Sequence, residues 1–166
     1  MVKKFLGLLA LALLALALVL AFNTWRKGSR QLDVPALAKV PLEEAAAAQR
    51  LAEAVRFKTV SSRDDPQLNQ AEFLGFQQML ERHFPRVHRQ LQREKVGHLA
   101  LLYTWQGSDP KAAPAMLMAH QDVVPIAPGT DSDWEQPPFS GVLKDGYVWG
   151  RGSWDNKGNQ IGRAHV

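Results

Sequence analysis

His120 and Asp122 stand one residue apart in the stretch Met118-Ala119-His120-Gln121-Asp122-Val123-Val124-Pro125. On an extended backbone, residues two apart project to the same face, so the imidazole and the carboxylate stand together. A carboxylate behind an imidazole is the arrangement that fixes the tautomer of a metal-binding histidine. The C-terminal edge of a sheet is also where α/β folds place their ligands. Taken alone, His-x-Asp is a weak signal and a structural reading outweighs it, because buried histidines are often simply hydrogen-bonded. The chemistry gains weight from the downstream segment. Trp134, Pro137, Pro138, Phe139, Ser140 and Gly141 lead into Asp145-Gly146-Tyr147-Val148-Trp149-Gly150-Arg151-Gly152-Ser153-Trp154-Asp155-Asn156-Lys157-Gly158. Asp145-Gly146 is a hairpin-turn signal, Tyr147 to Trp149 a short strand, and Gly150 to Gly152 a tight loop that lets the backbone pass close to a neighbour. Asp155 then presents a carboxylate. The competing structural reading is a turn-rich loop with a surface salt bridge from Lys157 or Arg151.

These residues need elements to position them. Leu99 to Trp105 and Ala115 to Ala119 are short apolar runs separated by a turn over Gly107 to Pro114, and both read as buried strands, the second delivering His120. Upstream, Pro41 suits a helix start, Glu43 and Glu44 favour the positive end of the dipole, and the Ala-rich stretch to about Phe57 has high helix propensity. Leu51 and Val55 fall on its buried face. After a loop from Ser61 to Pro66, Phe73, Phe76, Leu80 and Phe84 recur at helical spacing until Pro85 stops the helix. Those aromatics read as core rather than as a cofactor box. The pattern predicts an α/β domain with a mixed sheet flanked by helices. His83 and His88 are five apart, off the i, i+4 spacing of a helical zinc pair, and with His98 they are assigned to surface or packing roles. Lys157 reads as solvated and stays outside the site, Arg151 as a brace of its loop pairing with an acid, and Trp134 and Phe139 as loop anchors more than cleft walls.

The chain has 166 residues, 20 Lys and Arg against 16 Asp and Glu, and no cysteine. That length buries a real core, and the missing cysteines exclude disulfide scaffolds, thiolate zinc fingers and cysteine nucleophiles. Lys3, Lys4, Arg26, Lys27 and Arg30 account for the positive balance; without them 15 basic residues face 16 acidic ones. The body therefore lacks the electrostatic footprint of a nucleic-acid binder. Between those charges runs an uninterrupted apolar stretch of eighteen residues, Phe5 to Phe22. Residues 1–22 read as an uncleaved signal-anchor, with Trp25, Arg26 and Lys27 as an interfacial belt, in preference to a signal peptide cut after Val19-Leu20-Ala21. Basic residues flank both ends, so orientation rests on a narrow balance that favours an outward-facing body, periplasmic, extracellular or lumenal. Residues 23–40, with Gly28, Ser29 and Pro35, read as a linker, and the domain starts at 41.

Three motifs in order, His120-x-Asp122-Val123-Val124-Pro125, the segment from Trp134 to Phe139, and Gly150 to Gly158, together resemble the di-zinc metallopeptidases of the carboxypeptidase S and aminoacylase type. The resemblance spans roughly Pro41 to Gln160, including Arg56-Phe57-Lys58-Thr59-Val60-Ser61 and Phe84-Pro85. It implies the N-terminal part of a zinc-peptidase-type catalytic domain over 41–160. It also implies that His120 binds one zinc, that Asp122 acts in catalysis by orienting His120, and that Asp155 bridges two zinc ions and is joined to Asn156 by a cis peptide. Such a pair of metals polarises a scissile carbonyl and activates a water, so the implied reaction is hydrolysis of an amide in a peptide or an N-acyl amino acid. In that family the general-base glutamate, the remaining acidic ligands and a late histidine come after the position of Gly158, and none maps onto a residue here. One His and one bridging Asp are too few for a closed zinc site, so the chain as written is expected to be inactive. Residues 161–166, Ile161-Gly162-Arg163-Ala164-His165-Val166, depart from the family pattern and match a translated sequencing adapter, which removes His165 from the ligand candidates. The alternative reading is a non-catalytic, membrane-tethered binding domain.

Overall fold

The computed structural model describes residues 2–29, 31, 33–36, 38 and 41–163. The chain divides into two compact units, Met1–Val40 and Pro41–Val166. Among its described residues the first contains one helix, α1 (Val2–Arg26), whose described side chains are all exposed. A 25-residue helix rises about 37 Å, and α1 is long and apolar enough to cross a bilayer by length and composition. Its C-terminal end gathers the amphipathic side chains: the Phe22 and Trp25 ring centres lie 6.4 Å apart, and the Arg26 guanidinium sits 5.6 Å from the Phe22 ring centre.

In the second unit, α2 (Glu44–Arg56) opens shortly after Pro41 and carries Glu44 in its first turn and Arg56 in its last, as the dipole favours. Its inner face is Ala52, Ala54 and Val55, with Leu51 packed alongside. The second helix, α3 (Gln70–His83), buries Phe73, Phe76, Met79 and Leu80, and Phe84 comes just beyond its end. Ala54, Phe76, Met79, Leu80, Phe84 and Ile161 make one core cluster, so the aromatics at helical spacing are packing residues. Pro85 ends α3 as expected, yet it also opens a short helix, α4 (Pro85–Gln90), because a proline at the first helical position gives up no needed N–H. On the surface between α2 and α3, Glu53 accepts from Arg82 at 2.8 Å and meets His83 Nε2 at 2.6 Å. Both partners are partly exposed, so Glu53→Ala is expected to cost no more than about 1 kcal/mol, read from denaturant midpoints of the single variants and of the double variant with Arg82→Ala.

The strands differ from expectation. Strand β2 (Ala100–Thr104) forms, but it pairs with β1 (Gln92–Val96) as an antiparallel hairpin, from Val96↔Ala100 to Gln92↔Thr104, and only alternate residues of β2 are partly buried. It is a half-exposed strand, not a buried one. Its partner, Gln-Arg-Glu-Lys-Val, carries no apolar alternation that would announce a strand. Ala115 to Ala119 is no strand: Met116, Leu117 and Met118 are between 72% and 77% exposed, and the segment joins neither strand pair. Apolar composition predicts burial there, but a strand also needs a hydrogen-bonded neighbour. The expected mixed sheet is accordingly replaced by two antiparallel pairs, β1–β2 and β3–β4, and the α/β class holds. Strands β3 (Val142–Lys144) and β4 (Tyr147–Trp149) are joined through Asp145-Gly146, whose φ values of 53° and 78° give the doubly left-handed turn that Asp-Gly favours. A last helix, α5 (Lys157–Arg163), buries Ile161; residues 164–166, with His165, lie outside the described residues.

Candidate metal centre

Three segments build the site, and each is held by contacts between residues far apart in sequence. Segment 57–61 leaves the end of α2 and runs beside segment 121–123. Val60 and Val123 form a parallel bridge, the Val123 N–H donates to Thr59 O at 2.9 Å, and the Thr59 hydroxyl donates to Gln121 O at 2.7 Å. Thr59 is fully buried. Gln121 points to the opposite side from its neighbours, where its amide donates to Leu99 O at 2.9 Å and accepts from the buried Gln77 at 3.0 Å. This anchoring leaves His120 and Asp122 on the other face, the alternation expected from their spacing.

His120 Nδ1 lies 2.9 Å from the Asp122 carbonyl oxygen and 3.1 Å from Asp122 Oδ1. Two acceptors at one ring nitrogen place a proton there. The other carboxylate oxygen of Asp122 accepts from the Ser61 hydroxyl. Across the site, His120 Nε2 lies 2.8 Å from Asp155 Oδ1, a residue 35 positions downstream. Burial lowers the His120 pKa, but the hydrogen bonds from Asp155 and the Asp122 backbone, with the charges of both carboxylates, outweigh it and raise the value above the usual histidine range. The structure thus brings together all three residues singled out in the sequence.

Asp155 rides on the loop after β4, and its peptide to Asn156 is cis. The loop presses against segment 121–123: at Gly152, with φ at 86°, an added Cβ would stand 2.5 Å from Val123 Cγ1. Glycine there is what lets the segment bearing His120 and the loop bearing Asp155 meet. Lys157 differs from expectation. It is fully buried, and its Nζ donates to Ala54 O at 2.8 Å and to Phe57 O at 2.6 Å while lying 5.2 Å from the Phe76 ring centre. Burial pushes its pKa down to about 8, against the opposing pull of the Glu72 charge. The Ala54 and Phe57 carbonyls at the C-terminal end of α2 each accept one backbone N–H and have a second lone pair to offer, and the negative end of the helix dipole lies there, so they give the ammonium a place that solvent would otherwise fill. Arg151 braces the loop, though through an aromatic ring: its guanidinium lies 5.0 Å from the Trp134 ring centre, and its backbone N–H donates to Pro138 O at 2.6 Å. Phe139 has the Lys58 ammonium 5.8 Å from its ring centre, so both aromatics engage cations of the neighbouring loops.

The donor set suits a zinc ion. His120 Nε2 and Asp155 Oδ1 converge, Nδ1 is committed to Asp122, and a cation between Nε2 and the carboxylate satisfies two groups that otherwise compete for a proton. Among the described residues no group of three or more His, Asp or Glu is placed to hold one metal ion. Sequence reasoning does not foresee Ser61 or the burial of Lys157. A serine in a loop and a lysine between polar residues look solvated unless the pairing of segments 57–61 and 121–123 is known.

Residues 116–166 match the Peptidase family M20/M25/M40. Carboxypeptidase S of Saccharomyces cerevisiae is 44% identical over 125 residues, covering 74% of this chain and 22% of that protein. A probable carboxypeptidase S-like protein of Dictyostelium discoideum is 38% identical over 155 residues, 89% of this chain and 30% of its own length. An N-fatty-acyl-amino acid synthase/hydrolase of Mus musculus is 40% identical over 126 residues, 75% of this chain and 24% of its own. The chain thus spans between 22% and 30% of the length of these relatives.

Proposed function

Because the chain carries, over residues 116–166, part of a Peptidase family M20/M25/M40 domain of the carboxypeptidase S type, we propose that it contributes one side of a di-zinc centre that hydrolyses the amide bond of a peptide or an N-acyl amino acid. The supporting observation is the convergence of His120 Nε2 on Asp155 Oδ1 at 2.8 Å, with Asp122 behind the imidazole. His120 would hold an ion through Nε2 while its Nδ1–H is donated to Asp122. Asp155 would hold metal through its carboxylate. When bound, zinc supplies Lewis acidity toward the scissile carbonyl and makes a water nucleophilic at neutral pH. Asp122 contributes orientation, keeping the imidazole in one tautomer and raising its basicity as a ligand. The relatives include a carboxypeptidase and an N-fatty-acyl-amino acid hydrolase by name, so both substrate classes belong in the assay.

Around that site we place residues 1–22 as a membrane anchor, 23–40 as a linker, 41–160 as the enzyme-derived domain and 161–166 as a tail of separate origin whose Ile161 nonetheless packs in the domain core, with the body on the outer or lumenal side. Support for the anchor is the exposed apolar length of α1 and the Phe22, Trp25 and Arg26 group at its end. The test of function uses the chain extended to the length of its relatives, assayed on dipeptides and on N-acyl amino acids. Asp155→Ala is expected to abolish both zinc content and turnover. A variant that keeps its full zinc content removes Asp155 from the bridging role.

A further inference from the structure

We infer that Ser61 is a positioning residue of the metal centre, setting the rotation of the Asp122 carboxylate and through it the tautomer of His120. The inference rests on the metal-centre reading for its purpose, and on hydrogen bonding alone for its geometry. The two oxygens of Asp122 are divided: Oδ1 faces His120 Nδ1 at 3.1 Å, and Oδ2 accepts from the Ser61 hydroxyl. The Asp122 side chain is 42% exposed, so without a second partner its carboxylate turns freely toward water. A hydroxyl bound to an ionised oxygen is a strong enough partner to hold it. Ser61 is itself held in place. It directly follows Val60, which bridges Val123, and the Asn69 amide donates to Val60 O at 3.0 Å. The two bonds between Thr59 and residues 121 and 123 lock the same segment one residue earlier. Segment 57–61 therefore brings the hydroxyl to the carboxylate by backbone pairing, without depending on the rotamer of a long side chain.

The consequence falls on His120. Its Nε2 also faces an acceptor, Asp155 Oδ1 at 2.8 Å, so the neutral ring has acceptors on both sides and its tautomer is a contest between them. Ser61 tips the contest by keeping Asp122 Oδ1 aimed at Nδ1, which leaves the Nε2 lone pair for a metal ion. Without the hydroxyl, the Asp122 carbonyl oxygen at 2.9 Å is the one acceptor still fixed at Nδ1, so the share of rings protonated at Nε2 rises and their lone pair is lost to a metal ion.

The experiment records nitrogen NMR of histidine-labelled full chain in detergent micelles, metal-free and at a pH where His120 is neutral. Wild type is expected to show the Nδ1-protonated tautomer in excess, Ser61→Ala a clear rise in the Nε2-protonated form, and Ser61→Thr, which keeps the hydroxyl, the wild-type ratio. Zinc affinity, measured against a competing chelator on the same proteins, is expected to fall about tenfold in Ser61→Ala and to be restored in Ser61→Thr. An unchanged tautomer ratio in Ser61→Ala overturns the proposal, even if thermal stability falls, and so does an equal change in both variants. If wild type takes up no zinc at His120, with His120→Ala as the reference, the metal-centre reading fails while the tautomer ratio still decides the role of Ser61.

Discussion

Replacement of Gly141 by alanine is expected to destabilise the body of the protein by roughly 3 kcal/mol or more, the sum of a left-handed backbone penalty and an overpacking cost. Gly141 has φ at 59°, and an added Cβ there would overlap the carbonyl oxygen of Ala52 in α2. The obstacle is backbone in the middle of a packed helix, so no rotamer change relieves it. Either β3 withdraws from α2 or the helix bends, and both open the packing around Ala52 and Val55. The neighbouring turn supplies the control. Gly146 has φ at 78° with nothing within 4 Å of an added Cβ, so Gly146→Ala isolates the backbone penalty, about 1 to 2 kcal/mol. Chemical unfolding followed by circular dichroism, with the two variants side by side, checks the difference. Equal losses in both show that the Ala52 carbonyl is not the obstacle.

Removal of the Lys157 side chain is the second large effect. Lys157→Ala empties a buried volume beside Phe76 and takes a donor from Ala54 O and Phe57 O, and it is expected to cost about 3 kcal/mol at neutral pH. Lys157→Met refills most of that space, and each carbonyl keeps one backbone donor, from Phe57 N and Thr59 N respectively. Its loss is therefore smaller. The pH dependence separates the charge from the volume. The folded-state pKa is about 8, below the ordinary lysine value of 10.5, so between these limits the unfolded chain binds more protons than the folded one. Stability then rises with pH across that window and is independent of this group below it. Wild type is expected to gain stability between pH 8 and 10.5 relative to Lys157→Met, in which this source of slope is gone. Parallel stability profiles for the two proteins show that the ammonium stays charged in its buried place throughout.

The readable parts of this chain are those with a short-range rule behind them. The helices over 44–56 and 70–83 follow from Ala-rich propensity and from Phe73, Phe76 and Leu80 at helical spacing. The Asp145-Gly146 hairpin follows from the only dihedral angles its turn tolerates. His120 and Asp122 share a face because alternation is built into extended backbone. The features that escape a sequence reading depend on partners that the local sequence does not name. Met116, Leu117 and Met118 have strand composition but join no sheet, whereas β1, which lacks strand composition itself, finds a strand partner in β2. Lys157 looks solvated because a lysine among polar residues usually belongs to a wet surface, and only the approach of the α2 carbonyls turns it inward. Ser61 acquires its role from the pairing of two segments more than fifty residues apart, which no spacing rule encodes.

The anchoring of the site by such distant pairs also bears on the order in which the protein is made whole. The bonds that define it close long loops: 35 residues from His120 to Asp155, 62 from Thr59 to Gln121, and 103 from Lys157 to Ala54. The β1–β2 and β3–β4 hairpins and the contacts between α3 and α4 close short ones. Loop-closure entropy makes short loops cheap and long ones late. A ribosome-bound chain therefore acquires its hairpins and helices piece by piece, while His120 meets Asp155, and Lys157 the end of α2, only once the segment after β4 has emerged. The candidate site therefore closes last, after the hairpins and helices that surround it.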